Sequence, residues 1–415
     1  MTPSSAFLRV SLAGLMAALS LSAAFSPTLS LYARDAGAPP AAVGAIIALG
    51  SFLGSVVRLP AGALSTLAGR KKLLVGGSAV CAAAPLLPVL FPGSLPLLWL
   101  LSAFYSFATV FMPAALAYVH DLFPDSDRAT HVGYYTAFGG IGRAVGPITA
   151  GFILERLGSR PGLGQYAGVY LFCAAAGAAA FLLMLTLPRA APSTTPAGRL
   201  AEFVGRDLKA VSTDRFLLAA YGARAAQTLA LGALIAFFPV YAREVAGLSE
   251  ARIGLLISAN HVMAVITRPV TALLSSRAGR IPFMTAGMAG LSAALVLIPL
   301  TTRFWLLCPV LALMGISEAV CQISTIAYVA DRAGKRLFGA AVGIVGTFFD
   351  LGLAAGQFLP GLLIPIFGAP PRYAAGYLPS FGIVSGAILL SALGLSRVLK
   401  EPSCTVPPPP DKMSP

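Results

Sequence analysis

Two carboxylates, Glu318 and Asp350, stand in the middle of long apolar stretches of this 415-residue sequence, and they are its only acids so placed. A charge at mid-bilayer depth costs several kcal/mol unless it is paired or hydrated, so such residues default to functional roles. A carboxyl in these surroundings is suited to taking up and releasing a proton as its access changes. Arg143 and Arg224 share the apolar setting. They can bind an anionic substrate group, tune the two acids, or form permanent ion pairs that hold helices together. His261, beside Asn260, is either a proton switch or a hydrogen-bonded interior histidine. Tyr105, Gln227 and Gln322 are candidate polar cavity linings. Arg58 and Arg268 lie near the inner ends of their apolar runs, where gating or snorkelling suits them.

The elements that must carry these residues follow from composition. The chain is 57% hydrophobic and 11% charged, which no water-soluble fold can accommodate. Apolar runs of about 20 residues or more, the length that crosses a bilayer, fall near 8–32, 41–65, 73–91, 97–119, 131–154 and 166–187. The second set falls near 216–241, 251–275, 282–300, 304–329, 338–366 and 373–396. The expected fold is therefore an all-α membrane protein of twelve transmembrane helices. Pro27, Pro60, Pro85, Pro113, Pro147, Pro239, Pro269 and Pro360 bend spans without ending them, because neighbouring helices satisfy the freed backbone groups. The stretch from Arg9 to Tyr32 is too long for a signal-peptide core and reads as a retained first span.

Charge sets the orientation. With the N-terminus inside, the inside segments hold eighteen Lys and Arg and the outside segments seven. Lys/Arg excess marks the cytoplasmic side, so both termini are expected there, and the Ala/Gly/Pro-rich composition points to a bacterial inner membrane. The net charge of +14 is thereby mostly a topology signal and not a nucleic-acid one. The expected organisation is a six-helix bundle over 1–187, a cytoplasmic linker with an amphipathic helix over 188–215, a second bundle over 216–400, and a disordered Pro-rich tail over 401–415. The five cysteines have no disulfide or metal spacing. Phosphate loops and nucleophile elbows are lacking too, so no enzyme chemistry, cofactor or metal is expected. A monomer in the bilayer, working on a small molecule and protons, is.

The halves echo each other at an offset near 210 residues. Arg58 matches Arg268, Gly69-Arg70 matches Gly279-Arg280, and Tyr118-Val119 with Asp121 matches Tyr328-Val329 with Asp331. Gly133, Gly142, Gly146 and Gly151 match Gly343, Gly352, Gly356 and Gly361. One residue out of register, Tyr32-Ala33-Arg34-Asp35 echoes Tyr241-Ala242-Arg243-Glu244. A parallel repeat of six helices suits two pseudo-symmetric bundles around a central site.

These residues resemble a known family. Gly62 through Gly69-Arg70-Lys71 is similar to the signature between helices two and three of the Major Facilitator Superfamily, with Thr66 in place of its acid and Leu67 in place of the next arginine. Arg268 through Arg277, Gly279 and Arg280 repeats it, again without the acid. Asp121-Leu122-Phe123-Pro124 with Arg128 resembles the family's loop after helix four. Gly133, Gly142, Gly146, Pro147 and Gly151 resemble the antiporter motif of its drug and metabolite exporters, although glycines that only pack helices read the same way. The stretch 101–107 lacks the arginine that such proton-coupled exporters often carry. By that resemblance the chain would be a secondary transporter exporting a small amphipathic compound or metabolite against protons. Proton-coupled uptake of an organic anion, and a non-transporting sensor or lipid flippase, stay open.

Overall fold

A computed structural model describes residues 3–67, 69–108, 111–158, 164–188, 206 and 208–399. Among the described residues every regular element is a helix. The first half comprises α1 (Pro3–Ala23), a π-helical turn (Ala24–Leu29), α2 (Ser30–Asp35), α3 (Pro40–Leu67), α4 (Arg70–Ala83), α5 (Leu86–Leu90), α6 (Leu95–Ala108), α7 (Phe111–Leu122), α8 (Asp125–Leu157) and α9 (Gly164–Leu185). The second comprises α10 (Leu208–Thr213), α11 (Arg215–Glu244), α12 (Glu250–Ala278), α13 (Arg280–Leu297), α14 (Phe304–Phe367) and α15 (Ala374–Val398). A break at Gly334 divides α14 into two limbs.

Eleven of the described helical segments are long and apolar enough to cross a membrane. The remaining expected span, 97–119, is described as α6 and α7, with residues 109–110 between them outside the described residues. Pro27 does what was expected of it. The first span continues through a π-helical turn in which Ser26 leaves helical geometry, and resumes as α2. Most of the expected linker helix and the tail lie outside the described residues; the linker's described helix is α10. Large apolar side chains face outwards, with Trp305 80%, Leu390 71% and Ile366 69% exposed. A bilayer, and not water, is the medium that accommodates them.

The duplicated sequence gives duplicated local structure. Gly69 and Gly279 hold φ of +85° and +94°, which an L side chain resists, and each turns the chain into the next helix. The four glycine pairs pack alike. A Cβ on Gly142 would meet Ala18 Cβ at 3.0 Å, and one on Gly146 would meet Ser22 Cβ at 2.8 Å, so both lie against the first span. Gly352 and Gly356 lie in the same way against Ala225 and Leu229 of α11. Gly151 and Gly361 instead reach across to the opposite half, at Ala251 and Ala41, while Gly133 and Gly343 have nothing within 4 Å. Gly142, Gly146 and Gly151 of α8 are thus close-packing positions, as either reading of the motif requires.

Candidate transport site

At the end of the molecule where the first and seventh spans finish, the YAR-acid echo becomes a reciprocal ion-pair exchange. Arg34 Nε donates to Glu244 Oε1 at 2.7 Å, and Arg243 Nη2 donates to Asp35 Oδ1 at 2.5 Å. Each half thereby supplies the arginine for the other's acid. Arg34 Nη2 also donates to the Pro371 carbonyl at 2.5 Å. Tyr166 donates its hydroxyl proton to Asp35 and accepts from Arg243 Nη1 at 3.3 Å. Deeper in, Ala251 N donates to Glu155 Oε2 at 2.9 Å and Ile148 N donates to Ser258 Oγ at 3.1 Å, again across the halves. These contacts close the Asp35 end.

At the opposite end the gate-motif residues make ties inside each half. Arg70 pairs with Asp121 and donates to the Ala117 carbonyl. Its repeat, Arg280, pairs with Asp331 at 3.3 Å and donates to Ser275 Oγ at 2.9 Å. Lys71 Nζ reaches the Leu185 and Leu187 carbonyls, the first at 2.9 Å. Arg128 Nε reaches the His120 and Phe123 carbonyls at 2.9 and 3.0 Å. Arg277 is exposed. Of Arg58 and Gly62 the structure describes only the backbone, within α3. Just outside the membrane-spanning segment, Asp214 caps α11 by accepting from Phe216 N at 2.8 Å and Leu217 N at 3.2 Å. Partial burial pushes its carboxyl upward, but those amides and Arg332 outweigh burial and hold it below the usual carboxylate range.

Between the two ends lie the mid-span charges. A Cβ on Gly140 would touch Val265 Cγ2 at 3.1 Å, so α8 and α12 meet at the level of Arg143, His261 and Arg268. Gly315, on the first limb of α14, packs on the backbone of Asn260 from the other side, which brings Glu318 to the same level. Glu318 stands within electrostatic reach of Arg268, Arg224 and Arg143. Arg224 Nη1 donates to Gln227 Oε1 at 2.6 Å, and Gln227 Nε2 donates to the Glu318 carbonyl at 3.0 Å. The Arg224 guanidinium also lies 4.7 Å from the centre of the Phe349 ring, next to buried Asp350. Gln322 sits one helical turn beyond Glu318.

The structure thus brings Arg143, Arg224, Gln227, His261, Arg268, Glu318, Gln322 and Asp350 to one level. Arg268 belongs with Glu318 more than with the gate residues to which sequence assigned it. Tyr105 does not join them; it packs edge-on to Phe25 at 5.2 Å, beside Tyr170 and Cys173 inside the first half. Sequence reasoning did not single out Tyr135, which sits near Arg143. It registered the Arg34 and Arg243 segments as a repeat without seeing that they would pair. The signal was present: each copy carries an arginine directly before an acid.

Among the described residues no group of His, Cys, Asp and Glu could hold a metal. What the fold and the mid-span cluster define together is an integral, multi-pass membrane transporter. The family model of the Major Facilitator Superfamily matches residues 10–356 and again 227–414, and the chain belongs to that family. It is accordingly a transporter and not an enzyme. The class G tetracycline resistance protein of Vibrio anguillarum is 26% identical over 164 residues, 39% of this chain and 42% of that protein. The match therefore spans less than half of that relative. The multidrug resistance protein MdtG of Citrobacter koseri is 25% identical over 352 residues, 83% of this chain and 81% of that protein. Among solved structures, a point mutant of the nucleoside transporter NupG superposes with a TM-score of 0.80 at 14% identity, covering 95% of this chain and all of that one. A bacterial homologue of the lysosomal transporter Spinster, in an inward-facing conformation, gives 0.76 at 14% identity, covering 97% and 99%. At that identity the likeness speaks for the fold.

Proposed function

We propose that this chain exports a small amphipathic compound or metabolite in exchange for protons, by alternating access. The observation that carries the reading is the placement of Glu318 among arginines from both halves, with Asp350 buried on the other limb of α14, below an end held shut by paired charges. A carboxylate that changes partner as the halves rock can couple a proton to the movement of substrate. The two six-helix bundles are the rocking bodies, and the linker tethers them. The Lys/Arg excess favours the Arg70 end as cytoplasmic and the Asp35 end as external, and the Ala/Gly/Pro-rich composition favours a bacterial inner membrane. Export is favoured by the exporter-type relatives, whose names make tetracycline a first compound to test.

Asp350 is the leading coupling residue, because it is almost fully buried, 3% exposed, and directly follows Phe349, whose ring the Arg224 guanidinium covers. The test is transport into everted vesicles or proteoliposomes under an imposed pH gradient. Asp350→Asn should abolish proton-driven flux while monodispersity and thermal unfolding stay close to the parent. Full retention of gradient-driven flux removes Asp350 from that role. Uptake of an organic anion with protons is the second reading, favoured by the number of arginines. The direction of flux under the same gradient separates the two.

A further inference from the structure

The mid-membrane cluster does not neutralise itself. Arg143, Arg224 and Arg268 stand within electrostatic reach of the single carboxylate Glu318. Counting Asp350 as well, three guanidinia stand against two carboxylates at this level. Arg143 from the first half and Arg268 from the second also repel each other across the interface between halves. His261 and Tyr135, the other titratable groups facing them, bring no negative charge at neutral pH.

Hydrogen bonding is incomplete at the same level. Arg268 Nε, Glu318 Oε2, Gln322 Oε1 and Asn260 Oδ1 are buried with no hydrogen-bond partner. Asn260 is fully buried, and its Nδ2 is spent on the Leu311 carbonyl at 3.2 Å, which leaves its oxygen unanswered. Folded proteins leave few buried polar atoms unpaired, and several gathered on two facing helices offer hydrogen bonds to a ligand. A guanidinium donor set matches the planar oxygens of a carboxylate. The neighbouring amide oxygens match an N–H or O–H close to it.

We infer that the transported compound is an organic monoanion, whose carboxylate-like group binds between Arg143 of α8 and Arg268 of α12, where Glu318 is the internal counter-anion it displaces. The inference rests on the transporter reading but does not depend on export or on proton coupling. One arginine from each half gives the anion a contact that depends on how the halves sit. A neutral or cationic analogue would leave the guanidinia repelling each other.

The test uses the purified full chain in lipid nanodiscs, in a gluconate buffer, with three probes on the same ring: 2-naphthoate, 2-naphthamide and 2-naphthylmethylammonium. Thermal unfolding is followed against probe concentration, because a ligand at free concentration L that binds only the folded state stabilises it by RT ln(1 + L/Kd) and so raises Tm. Naphthoate should raise Tm and the other two should not. Arg143→Gln and Arg268→Gln should each raise the naphthoate Kd fitted to that dependence by on the order of tenfold or more, the usual scale for truncating one partner of a buried charged pair. Glu318→Gln should lower the same fitted Kd, which keeps the test decisive if either arginine variant fails to fold. The inference is overturned by a shift shared with the amide, by one carried by the ammonium, or by none with any probe. A shift undiminished in both arginine variants, or weakened in Glu318→Gln, overturns it equally. No gradient is present, so the outcome is independent of whether proton-driven export is found.

Discussion

Replacing Asp35 by Asn and Glu244 by Gln removes both acids of the reciprocal exchange while keeping side-chain shape. The side chains involved are 17% to 27% exposed, between the surface and the buried regimes. Exposed pairs contribute about 0–1 kcal/mol, and breaking a buried pair costs about 3–5 kcal/mol. An intermediate value of about 1.5 kcal/mol for each pair gives about 3 kcal/mol lost from the closed Asp35 end. At a factor of ten per 1.4 kcal/mol, the ratio of open to closed states rises about a hundredfold. The reporter is Ser258→Cys in a chain whose own cysteines are replaced. Ser258 is 6% exposed and sits at the crossing of α8 and α12, so a bulky polar maleimide reaches it only when that end opens. Labelling from the Asp35 side should accelerate by on the order of a hundredfold in the double variant. Labelling within about twofold of the parent would refute the reasoning, since it would mean that packing and not charge holds the end shut.

Other outcomes follow from the same geometry. Gly146→Ala and Gly356→Ala should each destabilise the protein by about 1–3 kcal/mol, because the added methyl meets the first or seventh span. Gly133→Ala and Gly343→Ala, with nothing nearby, should be neutral or stabilising by up to about 1 kcal/mol. Thermal unfolding in detergent compares all four. Asp214→Ala should cost about 1 kcal/mol at pH 7 through loss of the α11 cap. The folded carboxyl titrates below the unfolded one, so this contribution is present above about pH 4 and fades as pH falls through the lower folded value. Parent and variant melting curves should therefore converge in acid. Removing Asp121 or Asp331 should loosen the turns at Gly69 and Gly279, read as faster amide exchange there, since Arg70 and Arg280 then lose their acidic partners.

Span number, the duplication and the family were legible because each rests on a pattern that any bilayer protein must display: apolar length, basic asymmetry, repeated glycines. The fourth expected span, 97–119, is helical on both sides of residues 109–110, which lie outside the described residues. Among candidate residues, sequence singled out the ionisable and polar ones because charge in an apolar run is conspicuous. Its failures were failures of direction. Tyr105 is polar and mid-span, yet helix rotation turns it into its own half. Arg268 looked like a gate residue from its distance to the span's end, but the crossing at Gly140 and Val265 sets its level beside Glu318. The pairing of Arg34 with Glu244 needs both halves in space, which a one-dimensional echo cannot supply.

The glycines that cross between halves have a consequence for how the molecule can be held in one shape. Gly151 and Gly361 let backbone lie against backbone at the Asp35 end, with Ala251 Cα 3.2 Å and Ala41 Cα 3.4 Å from where a Cβ would stand. A side chain at either site acts as a wedge, and the simplest relief is for the halves to part there and tilt together at the other end. The same bulk at Gly142 or Gly352 has no such escape, because the first span moves with α8 and the seventh with the second limb of α14. One pair of glycines therefore marks where the machine can be propped ajar, and the other where it can only be broken.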